Sequence, residues 1–167
     1  SVDYVELGFR SLEANSFKGS CAYTTDNFIR QLNLPSNLKL GVMINASEIV
    51  NHKQGLVYAL SQLFKPSIKS PLTLVRIACH MHEFESALPA CSWLKEMGYE
   101  VGVNLMQIAE RSKDEIEKVA YLASQYPIDV LYFADSMGSM SPDHTSDIIS
   151  TLRLGWEGPL GIHTHDN

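Results

Sequence analysis

The chain has 167 residues, 45% of them hydrophobic and 19% charged, which excludes intrinsic disorder and allows one domain with a buried core. A net charge of −6, from 13 basic and 19 acidic residues with no run of Lys or Arg, points away from a nucleic-acid partner. No apolar stretch approaches a membrane span and no signal-peptide pattern opens the chain. The odd, widely spaced Cys21, Cys79 and Cys91 read as thiols in a reducing cytoplasm, not as a disulfide framework or a thiolate zinc site.

Short apolar runs then alternate with helix-like stretches. The runs cover 4–9 (YVELGF), 38–44 (LKLGVMI), 72–79 (LTLVRIAC), 99–106 (YEVGVNLM), 128–134 (IDVLYFA) and 159–163 (PLGIH). Each is rich in Val, Ile, Leu or Tyr and short enough to be a strand buried on both faces. Their starts recur about every 30 residues, the size of one βα unit. Between them, Leu56, Val57, Leu60, Leu63 and Phe64 make one apolar helical stripe after Ser47. The spacing predicts a helix over 84–97 that stops at Gly98. Ser112 and Glu115 form a capping box ahead of a helix that buries Ile116, Val119, Ala120 and Ala123. Ser141-Pro142 reads as N-cap and first helical residue, with Asp143 favoured by the positive helix end.

Strand–helix repetition with near-continuous apolar strands predicts a parallel sheet, either an open doubly wound sheet or a (β/α)₈ barrel. No Gly-rich phosphate loop follows any strand, which counts against a dinucleotide fold. In both folds the chemistry gathers at the carboxyl ends of the strands. Those ends are polar here: Glu6 and Arg10, Asn45, His80 with His82 and Glu83, Asn104 and Gln107, Asp135 with Ser136, and His163 with His165. A closed barrel would converge them on one axis, so the expected class is a TIM (β/α)₈ barrel.

Residues i and i+2 of a strand share a face, so His163 and His165 can ligate one divalent metal; a hydrogen-bonded strand end is the alternative. For His80 and His82 the strand-end reading leads, with Glu83 as a helix-start carboxylate. Asp135-Ser136-Met137-Gly138 reads as a βα turn, and equally as a hydroxyl and N–H groups able to hold a substrate carboxylate. Glu6, alone in an apolar strand, needs either a metal or a salt-bridge partner, from Arg10 or a neighbouring strand.

The segments YVELGFR (4–10), RIACHMHEFESA (76–87), EVGVNLMQIAERS (100–112), YFADSMGSMSP (132–142) and GIHTHDN (161–167) resemble, in order and spacing, the DRE-TIM metallolyase superfamily. That group includes hydroxymethylglutaryl-CoA lyase, isopropylmalate and homocitrate synthases and 4-hydroxy-2-oxovalerate aldolase, and the aldolase branch is the nearest in pattern. The resemblance implies one barrel domain over 1–167, incomplete, supplying strands two to seven without strands one and eight. It implies His163 and His165 as metal ligands, Glu6 and Asp135 as catalytic residues, and Ser136, Asn104 and Arg10 as substrate-binding residues. The implied cofactor is a divalent metal, Mn²⁺ or Mg²⁺, with Co²⁺ or Zn²⁺ as substitutes. The implied activity is carbon–carbon cleavage of a 4-hydroxy-2-oxo acid by a cytoplasmic homo-oligomer, with an aldehyde-processing enzyme as partner and neither membrane nor nucleic acid. A Claisen-type acyl-CoA condensing enzyme and a non-catalytic barrel scaffold are the alternatives. The sequence has Asp166 where the aldolases carry a further His, which bears on the substrate.

Overall fold

The computed structural model describes residues 2–12 and 18–165. Six strands, β1 (Tyr4–Phe9), β2 (Lys39–Asn45), β3 (Leu74–Cys79), β4 (Glu100–Leu105), β5 (Val130–Ala134) and β6 (Leu160–His163), pair in parallel in the order β1-β2-β3-β4-β5-β6. Spatial order equals chain order, so every crossover steps the same way. A doubly wound sheet must reverse that direction once; this one does not. Right-handed crossovers that never reverse place all the helices on one face, and a sheet covered on one face only curls into a barrel sector. The expected incomplete TIM barrel is what forms.

The covered face carries Val42 and Ile44, Val75 and Ile77, Val101 and Val103, and Leu131 and Phe133, all buried. Against it pack α1 (Asp26–Gln31), α2 (Ala46–Val50), α3 (Leu56–Leu63), α4 (Phe84–Glu96), α5 (Lys113–Ser124) and α6 (Pro142–Leu152), through residues such as Ile49, Leu60, Leu88, Ile116 and Leu152. Burying each large aliphatic side chain contributes about 1.5–3 kcal/mol, so this layer is the main source of stability.

The apolar runs overshoot the ladders at their starts. Leu72, Tyr99 and Ile128 are buried but precede their strands. Side chains entering from the loops plug the amino end of the core, and Tyr99 pins its loop by donating to the Lys65 carbonyl at 2.6 Å. The stripe lies on α3 and its C-cap Phe64, while Ser47 belongs to the separate helix α2; Val57 is exposed and Ala59 takes the buried place. Helix α1 has no counterpart in the apolar pattern because Ile29 alone is buried in it; its signal is the Thr25 cap, which accepts from the Phe28 N–H at 3.2 Å.

The caps read from sequence form as expected. Ser141 accepts from His144 N at 3.2 Å, and both halves of the Ser112/Glu115 box are present. Ser112→Ala removes a partner from the exposed Glu115 N–H and is expected to cost about 1 kcal/mol, measured as a lowered urea midpoint with an unchanged m-value.

One irregularity decides where a charged residue goes. Strand β1 is bulged between Glu6 and Phe9, and Gly8 sits at φ 118° against Cys21, whose carbonyl would lie 2.4 Å from any Cβ there. The extra residue shifts the parity of the strand by one. Phe9 pairs with Met43 on the bare face, and Arg10 turns to the helix side.

Candidate active site on the bare sheet face

Ladder partners share a face, so the register names the residues opposite the helices. Row by row they are Glu6–Gly41–Leu74–Glu100, then Phe9–Met43–Arg76–Gly102–Val130, then Asn45–Ala78–Asn104–Tyr132–Gly161, then Ala134–His163. At the amino end Lys39 donates to the Tyr4 hydroxyl at 2.8 Å and to Glu100 at 3.2 Å, while Tyr4 donates to Glu100. This network closes off the end away from the chemistry.

The rows run obliquely, the stagger expected of a barrel, and groups from different rows therefore meet. Arg76 is the hub. Its Nε lies 2.9 Å from Glu6 Oε2, and one terminal nitrogen lies 3.1 Å from His163 Nδ1. Its guanidinium carbon sits 4.5 Å from the centre of the Tyr132 ring. The Glu6 contact is an ion pair at hydrogen-bond distance whose N–H is not aligned on the carboxylate. Tyr132 lies flat across two glycines: a Cβ on Gly161 would stand 2.3 Å from the ring, and one on Gly102 2.9 Å. Only glycine lets the ring reach the sheet and serve as a floor beneath the guanidinium.

His163 and His165 project from the same side, with ring centroids 5.1 Å apart and planes 22° from parallel. A guanidinium can only donate, so its contact makes His163 Nδ1 the acceptor and puts the proton of the neutral ring on Nε2. Burial, then Arg76, then His165 hold the His163 pKa below the ordinary imidazole range. Burial pushes the Glu6 carboxyl above its usual range, and Arg76 pulls it partly back.

The other expected site residues divide. Asn104 is buried on the bare face, one row from Arg76. The Asp135 carboxylate accepts from Ser139 N at 2.9 Å and Met140 N at 3.1 Å, so it organises the turn after β5. Ser136 Oγ accepts from Gln107 N at 3.1 Å and ties that turn to the β4 loop, while Asp135 N donates to the His163 carbonyl at 3.0 Å. Asp135, Ser136 and His163 are thus locked into one rim. Arg10 is not brought to them. It is 5% exposed on the helix side, where it donates to the Thr24 and Leu63 carbonyls, pairs with Asp26 at 2.7 Å and covers the Phe64 ring. His80 and His82 stack at 5.6 Å, and Glu83 accepts from His80 N at 2.9 Å as the N-cap residue of α4. Asp166 lies outside the described residues.

For a divalent cation, the imidazoles of His163 and His165 fit two positions of a ligand set, His163 once Arg76 gives up its Nδ1 lone pair. Among the described residues no group of three or more His, Cys, Asp or Glu side chains could complete one.

Arg76 and Tyr132 went unread in the sequence. A signal was available: Glu6 and Arg76 are each the lone charge in an apolar strand, and two such charges of opposite sign must find each other or water.

No family model matches the chain. Among curated proteins it is 31% identical over 111 residues to 4-hydroxy-2-oxovalerate aldolase 2 of Rhodococcus opacus (strain B4), covering 66% of this chain and 32% of the relative. It is 33% identical over 101 residues to 4-hydroxy-2-oxovalerate aldolase of Pelotomaculum thermopropionicum, covering 60% and 30%. The chain spans about a third of the length of these relatives. Among solved structures, the N-terminal domain of a "putative aldolase" from Bacteroides vulgatus superposes with a TM-score of 0.84 at 25% identity, over 99% of this chain and 53% of that one. HMG-CoA lyase from Brucella melitensis shares the fold, with a TM-score of 0.63 at 10% identity over 84% of this chain and 52% of its own. The resemblance to the DRE-TIM metallolyases stands, over part of such a protein, and the relatives support an aldolase or lyase kind of function.

Proposed function

We propose that this chain is the strand-two to strand-seven sector of a (β/α)₈ lyase that cleaves a carbon–carbon bond in a 4-hydroxy-2-oxo acid. The observation that carries the reading is the contact chain Glu6–Arg76–His163–His165, which crosses the bare face from the row of Glu6 to the carboxyl end of β6. The aldolase relatives supply the reaction class. The edges of β1 and β6, each with one partner strand among the described residues, suit a sheet that further strands would close.

His163 and His165 would hold a divalent metal, Mn²⁺ or Mg²⁺ for a mixed imidazole, carboxylate and water set, with Co²⁺ or Zn²⁺ accepted. When bound, such a cation supplies Lewis-acid stabilisation of the negative charge that develops on the 2-oxo oxygen. The chain's own groups do the rest. Ser136, with its oxygen anchored by Gln107 N–H, keeps its hydroxyl proton for the substrate carboxylate. Asp135 acts by holding that turn in shape. Glu6, made more basic by burial, takes up a proton, and Arg76 keeps it charged until it does. In the cleavage the 4-hydroxyl loses its proton, C4–O becomes a carbonyl and the C3–C4 bond breaks. The electron pair forms the enolate of a smaller 2-oxo acid, which is then protonated at C3. The reading includes a cytoplasmic homo-oligomer that passes its aldehyde to a second enzyme. Among the described residues no helix is long and apolar enough to cross a membrane.

The test is product identity. The complete enzyme is expected to release pyruvate from 4-hydroxy-2-oxovalerate without coenzyme A. Release of free coenzyme A from an acyl-CoA and a 2-oxo acid, with no pyruvate formed, would replace this reading by the Claisen-type condensation.

A further inference from the structure

Asn104 occupies the middle of the bare face, between Ala78 of β3 and Tyr132 of β5. The residue is 3% exposed, and its Oδ1 has no hydrogen-bond partner among the described residues. A buried amide oxygen without a donor is costly, where an apolar residue at the same strand position would carry no such cost. The neighbours show why nothing among the described residues satisfies it. The Ala78 side chain has no donor, the Tyr132 ring lies flat on Gly102 and Gly161, and Arg76 holds one terminal nitrogen on His163 while its Nε, itself without a hydrogen-bond partner, stands 2.9 Å from Glu6. The acceptor therefore awaits a donor from outside the chain. A cationic donor is disfavoured by Arg76 on the adjacent strand. A neutral hydroxyl brings one proton and no charge.

We infer that Asn104 is a specificity-determining residue whose Oδ1 accepts a hydrogen bond from the substrate hydroxyl, so that the site selects hydroxylated 2-oxo acids over their deoxy counterparts. This rests on the lyase reading, in which that hydroxyl is the group that becomes the carbonyl of the aldehyde. Oδ1 is shielded from bulk water, so a hydrogen bond made there is not diluted by competing solvent.

Two measurements on the complete enzyme test this. In Asn104→Ala the KM for 4-hydroxy-2-oxovalerate is expected to rise about tenfold to a hundredfold, the worth of one buried hydrogen bond, while inhibition by 2-oxovalerate changes less than about twofold. A purely structural role would move both constants together, and that result, or no change in either, overturns the assignment. In Asn104→Leu the unpaired oxygen is gone, so the melting temperature is expected to rise while the discrimination falls. A variant that melts lower or does not fold shows that Oδ1 is satisfied, by an ordered water for example, and also overturns the assignment. A wild-type enzyme that cleaves no hydroxy-oxo acid at all fails the lyase reading instead, a result separate from any comparison between variants.

Discussion

Replacing His163 and His165 together by alanine is expected to strip the complete enzyme of its divalent metal and, with it, of cleavage. The two rings lie side by side with centroids 5.1 Å apart, close enough for both to be offered to one cation under the ligand assignment. Metal content by plasma emission should fall to background, a readout that does not depend on turnover. If the cation supplies several kcal/mol of charge stabilisation, kcat/KM drops by about three orders of magnitude. The single variants separate the rings. His163 also carries the Arg76 contact, so His163→Ala frees a guanidinium as well as removing an imidazole, and is expected to lose more than His165→Ala. Unchanged metal content in the double variant refutes the ligand assignment.

The second large effect is expected at Arg76. Arg76→Met leaves Glu6 partly buried without its counter-charge and removes the side chain that covers Tyr132. Both partners are mostly shielded, at 13% and 28% exposure, so the pair lies between a surface bridge and a fully buried one. Discounted for that exposure, the loss is about 2–3 kcal/mol by urea unfolding. Glu6→Gln should cost less, because the guanidinium keeps its contacts with His163 and Tyr132 and the amide oxygen can still accept from it, and the double variant should recover part of the Arg76→Met loss. A double-mutant cycle with no coupling energy would show that the ion pair contributes nothing.

The pH dependence follows from the same pair. The folded state raises the Glu6 pKa above its unfolded value. Its contribution is therefore fully present below the ordinary carboxyl range and is lost as the pH rises through the raised value. Without Arg76 the carboxyl is raised further, so the penalty of Arg76→Met should be larger at pH 8 than at pH 5. An equal penalty at both would mean that the loss comes from packing against Tyr132 and not from charge.

How much of this could be read before the fold was known depends on the range of each interaction. Local rules held. The six apolar runs are the six strands to within two residues at each end, because burial on both faces of a parallel strand leaves a continuous apolar signature. The Ser112/Glu115 box and the Ser141 cap act across three residues, and both are formed. The shared side of His163 and His165, expected from the two-residue period of a strand, is kept although β6 ends at His163 and His165 lies just past it. Arg10 shows where a local rule stops. Counting by twos from Glu6 puts it on the bare face, and the bulge at Gly8 puts it on the other, paired with Asp26.

The amino-acid order by itself determined the alternation of strand and helix, the strand ends at which polar residues gather, and the pairing of two imidazoles on one edge. Those depend on backbone periods that each segment carries within itself. Only the tertiary structure decided that Arg76 would join Glu6 to His163, its partner 87 positions away, over a tyrosine laid on two glycines. That contact exists because the stagger between parallel strands brings oblique rows together, and stagger is a property of the assembled sheet, not of any one strand.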